Sequence, residues 1–358
     1  MTTIRAAVCH EFGKPLVIEH VEIAAPQGRA LEVTLEACAI CHSDISYADG
    51  IWGGILPAVY GHEAAGRITA VGDEVTGFGI GDKVIVTLIR SCGTCAPCAS
   101  GTPTACETPR GPQPLSLPDG RPLLAAMNCG AFAEKVVVDQ SQVAKVPEDM
   151  PAAVASLLSC GVITGIGAVV NAAGLRPGQD AVVIGAGGVG LNAIQGARLA
   201  GARRIVAVDM TPEKLADAIE FGATDGVLAT DEAPWTRVSE LIGRKADAVF
   251  VTVGAIRAYD QAPRYLAPGG KLVMVGMPAS GTTSSYEPDM FASLSQGMVG
   301  SKMGNVVLSR DIPWLVDLYR QGRLKLDELV SKSWPLEQIN EAIADTKSGA
   351  ARRNVIIF

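Results

Sequence analysis

No block of basic residues, no leader-like start, no Ser/Gly linker tract and no regular repeat occurs in the 358 residues. Each absence excludes something. With no basic stripe and a formal net charge of -7, the chain lacks the electrostatic footprint of a nucleic-acid binder. Met1–Val8 lack a basic n-region, apolar core and cleavage site, so a cytoplasmic protein is expected. Charged residues are sparse at 19% against 48% apolar, a globular composition whose length calls for two domains. One uncharged stretch, Pro151–Leu175, is long enough to cross a membrane. Gly161, Gly165, Gly167, Ser156, Ser159, Thr164 and Asn171 dilute it, and no second stretch exists. A buried helix-rich segment is therefore expected, with no membrane partner.

The nine cysteines are not spread like a disulfide framework. Cys92, Cys95, Cys98 and Cys106 form C-x2-C-x2-C-x7-C, a spacing that lets four thiolates close a tetrahedron around a structural zinc. Its binding energy, ~10–16 kcal/mol in model fingers, would hold a lobe too small for its own core. An iron–sulfur cluster is a rival, disfavoured by the spacing of the fourth cysteine and by Glu107, where such runs carry proline. Free cysteines gathered by chance are the bland alternative. Cys9, Cys38 and Cys129 read as core residues.

A second constellation is dispersed. Cys41-His42-Ser43-Asp44 is followed by Gly61-His62-Glu63 and, far downstream, by Cys160. Two cysteines and a histidine can hold one zinc and leave its fourth position open to a reacting molecule. Cys160 as a buried thiol and Asp44 as a helix cap are the plainer readings, and Asp44 can serve both ways.

From Ile4 to about Val86 the pattern is of short strands, Ala6–Val8, Leu16–Val21, Ala30–Ala37, Gly66–Val71 and Lys83–Val86, punctuated by glycines as in turn-rich barrels. After Gln179 strands and helices alternate. Asp180–Ile184 reads as a buried strand, and Gly185-Ala-Gly187-Gly188-Val189-Gly190 leads straight into an apolar helix, Leu191–Ala200. The next strand ends at Asp209, 24 residues after Gly185 (209 − 185). G-x-G-x-x-G between strand and helix, with an acid at that distance, is the dinucleotide fingerprint. Gly185 permits the tight turn, Gly187 lets the backbone approach a pyrophosphate, and Gly190 lets helix and strand pack closely. A carboxylate at Asp209 suits the ribose hydroxyls of NAD, whereas a 2′-phosphate would meet like charge and no arginine within Met210–Lys214. Strands are expected at Asp225–Ala229, Ala246–Val253 and Lys271–Gly276, with helices at Pro212–Phe221, Trp235–Gly243 and Ala255–Leu266. Two amphipathic helices, Asp311–Gln321 and Pro335–Lys347, and a last strand, Val355–Phe358, complete the chain and are expected to rejoin the first domain.

Taken together these residues resemble the zinc-dependent medium-chain alcohol dehydrogenases along essentially the whole chain; Gly61-His62-Glu63-x2-Gly66-x5-Gly72-x2-Val75 matches that family's zinc signature. The resemblance implies an α/β protein with a GroES-like β-rich catalytic domain, residues 1–162 and 304–358, and a Rossmann doubly wound coenzyme domain, residues 163–303. It implies two zincs per subunit: a catalytic one on Cys41, His62 and Cys160, with Glu63 as alternate ligand, and a structural one on Cys92, Cys95, Cys98 and Cys106. Asp44 would hydrogen-bond the ligating histidine, and Ser43 would accept the substrate's proton. His42 and Arg353 would approach the pyrophosphate, Lys214 the adenosine ribose, and Thr164, Gly188 and Val189 would join the cofactor site. Trp52, Leu88 and Met277 correspond to pocket-lining positions.

The implied activity is NAD-dependent interconversion of a primary alcohol and its aldehyde by a homo-oligomer, dimer or tetramer. By analogy with zinc-bound water, coordination brings an O–H pKa from ~16 toward ~7. That is on the order of 12 kcal/mol, against ~3–5 kcal/mol from a general base, so the ion carries the larger share and Ser43 chiefly provides a proton route. Leu88, where an aromatic is common, points to medium-chain, branched or aromatic alcohols. Ser46 stands where some relatives carry a relay histidine. Ile51-Trp52-Gly53-Gly54 replaces the acidic residues of glutathione-dependent formaldehyde dehydrogenases, the alternative enzyme on this scaffold. A catalytically silent NAD- and zinc-binding protein is the alternative of another class.

Overall fold

A computed structural model describes residues 1–109 and 111–358 of the chain. Contacts divide it into two compact units, Met1–Cys160 with Val307–Phe358, and Gly161–Val306, where breaks at 162/163 and 303/304 were expected.

The first unit is β-rich, in keeping with the GroES-like expectation. Thr2–Cys9, Val17–Ile23, Leu115–Ser116, Pro122–Ala125 and Ala58–Val59 close a small barrel. Beside it runs a sheet in the order Val143–Lys145, Lys83–Val86, Glu63–Val71, Ala30–Ala39, Arg353–Ile357, Val330–Pro335, with Lys135–Asp139 also paired to Ala30–Ala39. Ala30–Ala39 is buried along most of its length because strands flank it on both sides. At its end Ala39 pairs with Glu63 on one side and with Val355 on the other. That register brings Cys41, Glu63 and Arg353, far apart in sequence, to one end of one sheet. The helix Ala152–Leu157 then delivers the chain to Ser159, whose hydroxyl donates to the carbonyl of Ala64 at 2.9 Å and so fixes Cys160 beside the same strand end.

The second unit is a parallel sheet in the order Asp225–Leu228, Arg204–Asp209, Asp180–Ile184, Ala246–Val251, Leu266–Met274, Gly297–Gly300. Every residue of Asp180–Ile184 is buried, as a central parallel strand between two others requires. The uncharged stretch is helical and largely buried: Ala152–Leu157, Gly161–Gly167 and a π-helical turn, Ala168–Ala173. Among the described residues no helix is long and apolar enough to cross a membrane.

Three expectations from periodicity need correction. Pro335 ends a strand rather than starting a helix, because Trp334 and Pro335 pair with Ile356 and Ile357; the helix is Ile339–Lys347. The preceding helix begins at Leu308, three residues early, since the Asp311 carboxylate reaches back to the Val307 N–H at 3.0 Å. The helix from Ala255 is α-helical only over Ile256–Gln261 and tightens to a 3-10 turn at Ala262–Tyr265, where Pro263 cannot donate.

Candidate metal centres and a glycine-rich turn

Cys41 is the N-cap of the helix His42–Ala48, with extended backbone angles. Asp44, in the first turn, reaches back so that Oδ2 accepts the Cys41 N–H at 3.0 Å. Its Oδ1 accepts the Gly61 N–H at 2.8 Å and faces His62 Nδ1 at 2.9 Å. A carboxylate only 1% exposed is thus satisfied by two backbone donors and an imidazole. The Asp44 contact orients the ring through Nδ1 and leaves Nε2, which makes no hydrogen bond, as the atom open to a metal. The cap and the histidine brace are the same side chain.

Ligand atoms of Cys41, His62, Glu63 and Cys160 all lie within 4.8 Å of one another, and all four residues are buried. His62 Nε2 and both Glu63 carboxylate oxygens make no hydrogen bond. Glu63 Oε1 does lie 3.3 Å from Arg353 Nη2, an ion pair without hydrogen-bond geometry. The contact with Cys160, together with His62, holds the Cys41 thiol well below its ordinary range, while the same contact and burial push the Cys160 thiol well up. Burial opposes charge on His62, but Asp44 and Cys41 outweigh it and raise the ring. Burial pushes Glu63 to about 7, against the pull of Arg353. Arg353 stays charged, so the guanidinium is the fixed charge of that pair.

The cysteines at 92, 95, 98 and 106 form a separate set whose sulfurs also lie within 4.8 Å of one another. This one is local and half-exposed. Gly93, at φ +80°, turns the chain, and the N–H groups of Thr94 and Cys95 point at Cys92 Sγ at 3.4 and 3.2 Å. The Thr108 hydroxyl and those N–H groups bring the Cys92 thiol to about 5, while burial among its neighbours pushes Cys98 to about 12. Cys9, Cys38 and Cys129 are buried and belong to neither set.

In the second unit the glycine-rich turn is sterically determined. Gly185 sits at φ +99°, where a Cβ would lie 2.3 Å from Val253 Cγ1. At Gly190 a Cβ would lie 1.8 Å from the Gly185 carbonyl oxygen. Gly187 caps the helix Gly188–Leu199 and has open space before it. Asp209, at the end of the adjacent strand, accepts the Ala186 N–H at 2.6 Å. Val189 lies against the helix carrying Thr164, since a Cβ on Gly165 would meet the Val189 carbonyl at 2.4 Å. Lys214 stands in the first turn of Pro212–Phe221, its N–H on the Thr211 hydroxyl.

The remaining expected residues are less closely gathered. Ser43 is half-buried and His42 exposed, both in the first turn of the helix that Cys41 caps. Trp52 packs edge-on to Tyr47 at 5.0 Å, and Leu88 is half-buried against the first unit's core. Met277, in the second unit, is 59% exposed. Arg353 is buried beside Glu63, a contact that sequence spacing does not signal. Thr252, whose hydroxyl lies on the turn at Gly185, has no signal in the sequence, since a lone threonine after a strand carries no motif.

Residues 27–148 match the alcohol dehydrogenase GroES-like domain, and residues 188–321 match the zinc-binding dehydrogenase domain. The NDMA-dependent alcohol dehydrogenase of Amycolatopsis methanolica is 35% identical over 365 residues, covering 99% of this chain and 98% of that protein. Among solved structures, an alcohol dehydrogenase zinc-binding domain protein from Burkholderia ambifaria superposes with a TM-score of 0.95 at 34% identity, over 100% of this chain and 99% of that one. Benzyl alcohol dehydrogenase from Acinetobacter calcoaceticus gives 0.94 at 30% identity, over 100% of both chains. Matched in both domains and along its length, the chain belongs to the zinc-dependent medium-chain alcohol dehydrogenase family.

Proposed function

We propose that this protein is an NAD-dependent zinc alcohol dehydrogenase interconverting a primary alcohol and its aldehyde, with medium-chain, branched or aromatic substrates preferred over ethanol. One observation carries the reading: two sulfurs, an imidazole nitrogen and a carboxylate converge within 4.8 Å in a buried place, the nitrogen and both carboxylate oxygens lacking hydrogen bonds. Buried groups left so would cost about 1–3 kcal/mol each, and they are the donors zinc takes. Cys41, His62 and Cys160 would hold the ion, with Glu63 as alternate ligand and Arg353 opposing its charge. When bound, zinc supplies a Lewis acid to the alcohol oxygen and NAD a hydride acceptor.

The protein's own residues do the rest. Asp44 keeps His62 in the tautomer that presents Nε2 and holds the start of the helix on which Ser43 rides. Ser43 takes the proton leaving the alcohol oxygen and passes it toward solvent; in the reverse direction it returns a proton to the carbonyl oxygen. Gly185, Gly187, Gly188 and Gly190 let the backbone approach the pyrophosphate, and the N-terminus of Gly188–Leu199 offers it N–H groups. Asp209 receives the adenosine ribose. The set at 92–106 would hold a second, structural zinc, its four thiolates leaving no open position. An aromatic substrate is supported by the likeness to a benzyl alcohol dehydrogenase and by Leu88 in the place of a larger ring.

Emission spectroscopy should count two zincs per subunit, and NAD should be reduced faster with benzyl or branched alcohols than with ethanol. One zinc and no turnover of any alcohol would overturn the reading. Formaldehyde oxidation that depends on added glutathione would replace it with the alternative enzyme.

A further inference from the structure

The peptide unit joining Gly185 to Ala186 is held from both sides by side chains at the ends of neighbouring strands. Its carbonyl accepts from Thr252 Oγ1 at 2.8 Å, and its N–H donates to Asp209 Oδ2 at 2.6 Å. Thr252 follows Ala246–Val251 and Asp209 ends Arg204–Asp209, the two strands that flank Asp180–Ile184. Thr252 is itself anchored: its backbone N–H donates to the Ile184 carbonyl at 3.0 Å, and its hydroxyl lies 3.1 Å from the same oxygen. The other oxygen of Asp209 accepts the Met210 N–H at 2.7 Å.

Gly185 stands at φ +99°. A glycine there has wide freedom, so its own conformation does not decide which way the next peptide points. The clamp decides it. With the carbonyl turned onto Thr252, Gly190 can pack against that oxygen, and the turn closes onto the helix. Both oxygens of Asp209 are already engaged by backbone before any ribose arrives.

We propose that Thr252 is a positioning residue for the dinucleotide: with Asp209 opposite, its hydroxyl sets the Gly185–Ala186 peptide in the binding orientation before the cofactor arrives. Asp209 then has two tasks, and replacing it to admit NADP also loosens the turn. The inference rests on the reading of this turn as the NAD site.

The test is titration of the zinc-loaded protein with NADH, followed by fluorescence, together with hydrogen exchange of the Ala186 amide in protein without dinucleotide. Thr252→Val keeps the shape and removes the hydroxyl; Thr252→Ala serves if it does not fold. Kd for NADH should rise about three- to tenfold, the size of one lost hydrogen bond. KM for NAD should rise more than kcat falls, and Ala186 should exchange faster. Thr252→Ser should restore all three. Asp209→Gly should bind neither NADH nor NADPH as tightly as the wild type binds NADH. Wild-type protein that binds no NADH removes the NAD reading and this inference with it. Wild-type binding matched by an equal affinity in Thr252→Val removes the inference alone.

Discussion

The two cysteine-bearing sets in the first unit differ in how they are made. The set at 92–106 lies within one turn-rich lobe, half-exposed, its sulfurs oriented by N–H groups a few residues away. The set of Cys41, His62, Glu63 and Cys160 is buried and depends on strand register, on Asp44 and on the Ser159–Ala64 bond. One can form wherever its loop folds; the other exists only once the sheet is complete. A chain that used the local design for its reactive centre would have no place to bury it. A chain that used the distributed design for its structural centre would need the lobe folded before the metal that folds it.

That contrast can be broken most directly at Cys41. Cys41→Ala should lower alcohol oxidation by at least ~10³-fold while the zinc at 92–106 stays, because the larger share of the chemistry rests on the ion. Kinetics and metal analysis on one sample check this; retained turnover would sink it. Cys98→Ala should do the reverse, with one zinc lost and stability lowered by about 3 kcal/mol, roughly 6–12 °C in Tm, and a smaller change in kcat. Calorimetry beside the same kinetics tells the two apart.

Asp44→Asn sharpens the comparison, since Asp44 braces Cys41 and His62 of the buried set. Metal affinity or activity should fall about 10–100-fold at the buried set, with the zinc at 92–106 unaffected. Equal loss from both sets in a chelator competition would count against the assignment.

The smallest effect concerns the strand on which the buried set depends. Burial pushes the Glu32 carboxyl up, but Lys135 at 2.8 Å and the Thr69 hydroxyl at 2.6 Å outweigh it and hold the group below its ordinary 4.5. Its stabilisation is therefore present above pH 4.5 and lost as pH falls through the lowered value. Glu32→Gln should cost about 0.5–1 kcal/mol at pH 7, fading in acid. Denaturant curves at several pH values would show it, and a penalty that grew in acid would contradict the sign.

The sequence was most informative where chemistry and contiguity coincide. Cys92, Cys95, Cys98 and Cys106 are legible because a knuckle is a local object. Gly185 and Gly190 are legible because strand, turn and helix follow without interruption and each glycine excludes a Cβ. The buried set needed its resemblance to a family, since nothing in Cys160 itself points to His62. Gly297–Gly300 is not legible as a strand, because a sheet's outer strand with glycine at both ends shows no apolar alternation. Pro335 misled because a proline before an amphipathic run resembles a helix start, while its pairing with Ile357 is long-range.

The ligand types, the fingerprint turn and the alternation that makes a parallel sheet are written in the sequence, since each depends on neighbours a few residues away. Which oxygen braces His62, the burial of Arg353 beside Glu63 and the sharing of one peptide by Thr252 and Asp209 are set by folding alone. Those contacts join strand ends separated by tens to hundreds of residues. Backbone register sets them, and register is a property of the assembled sheet rather than of any stretch within it.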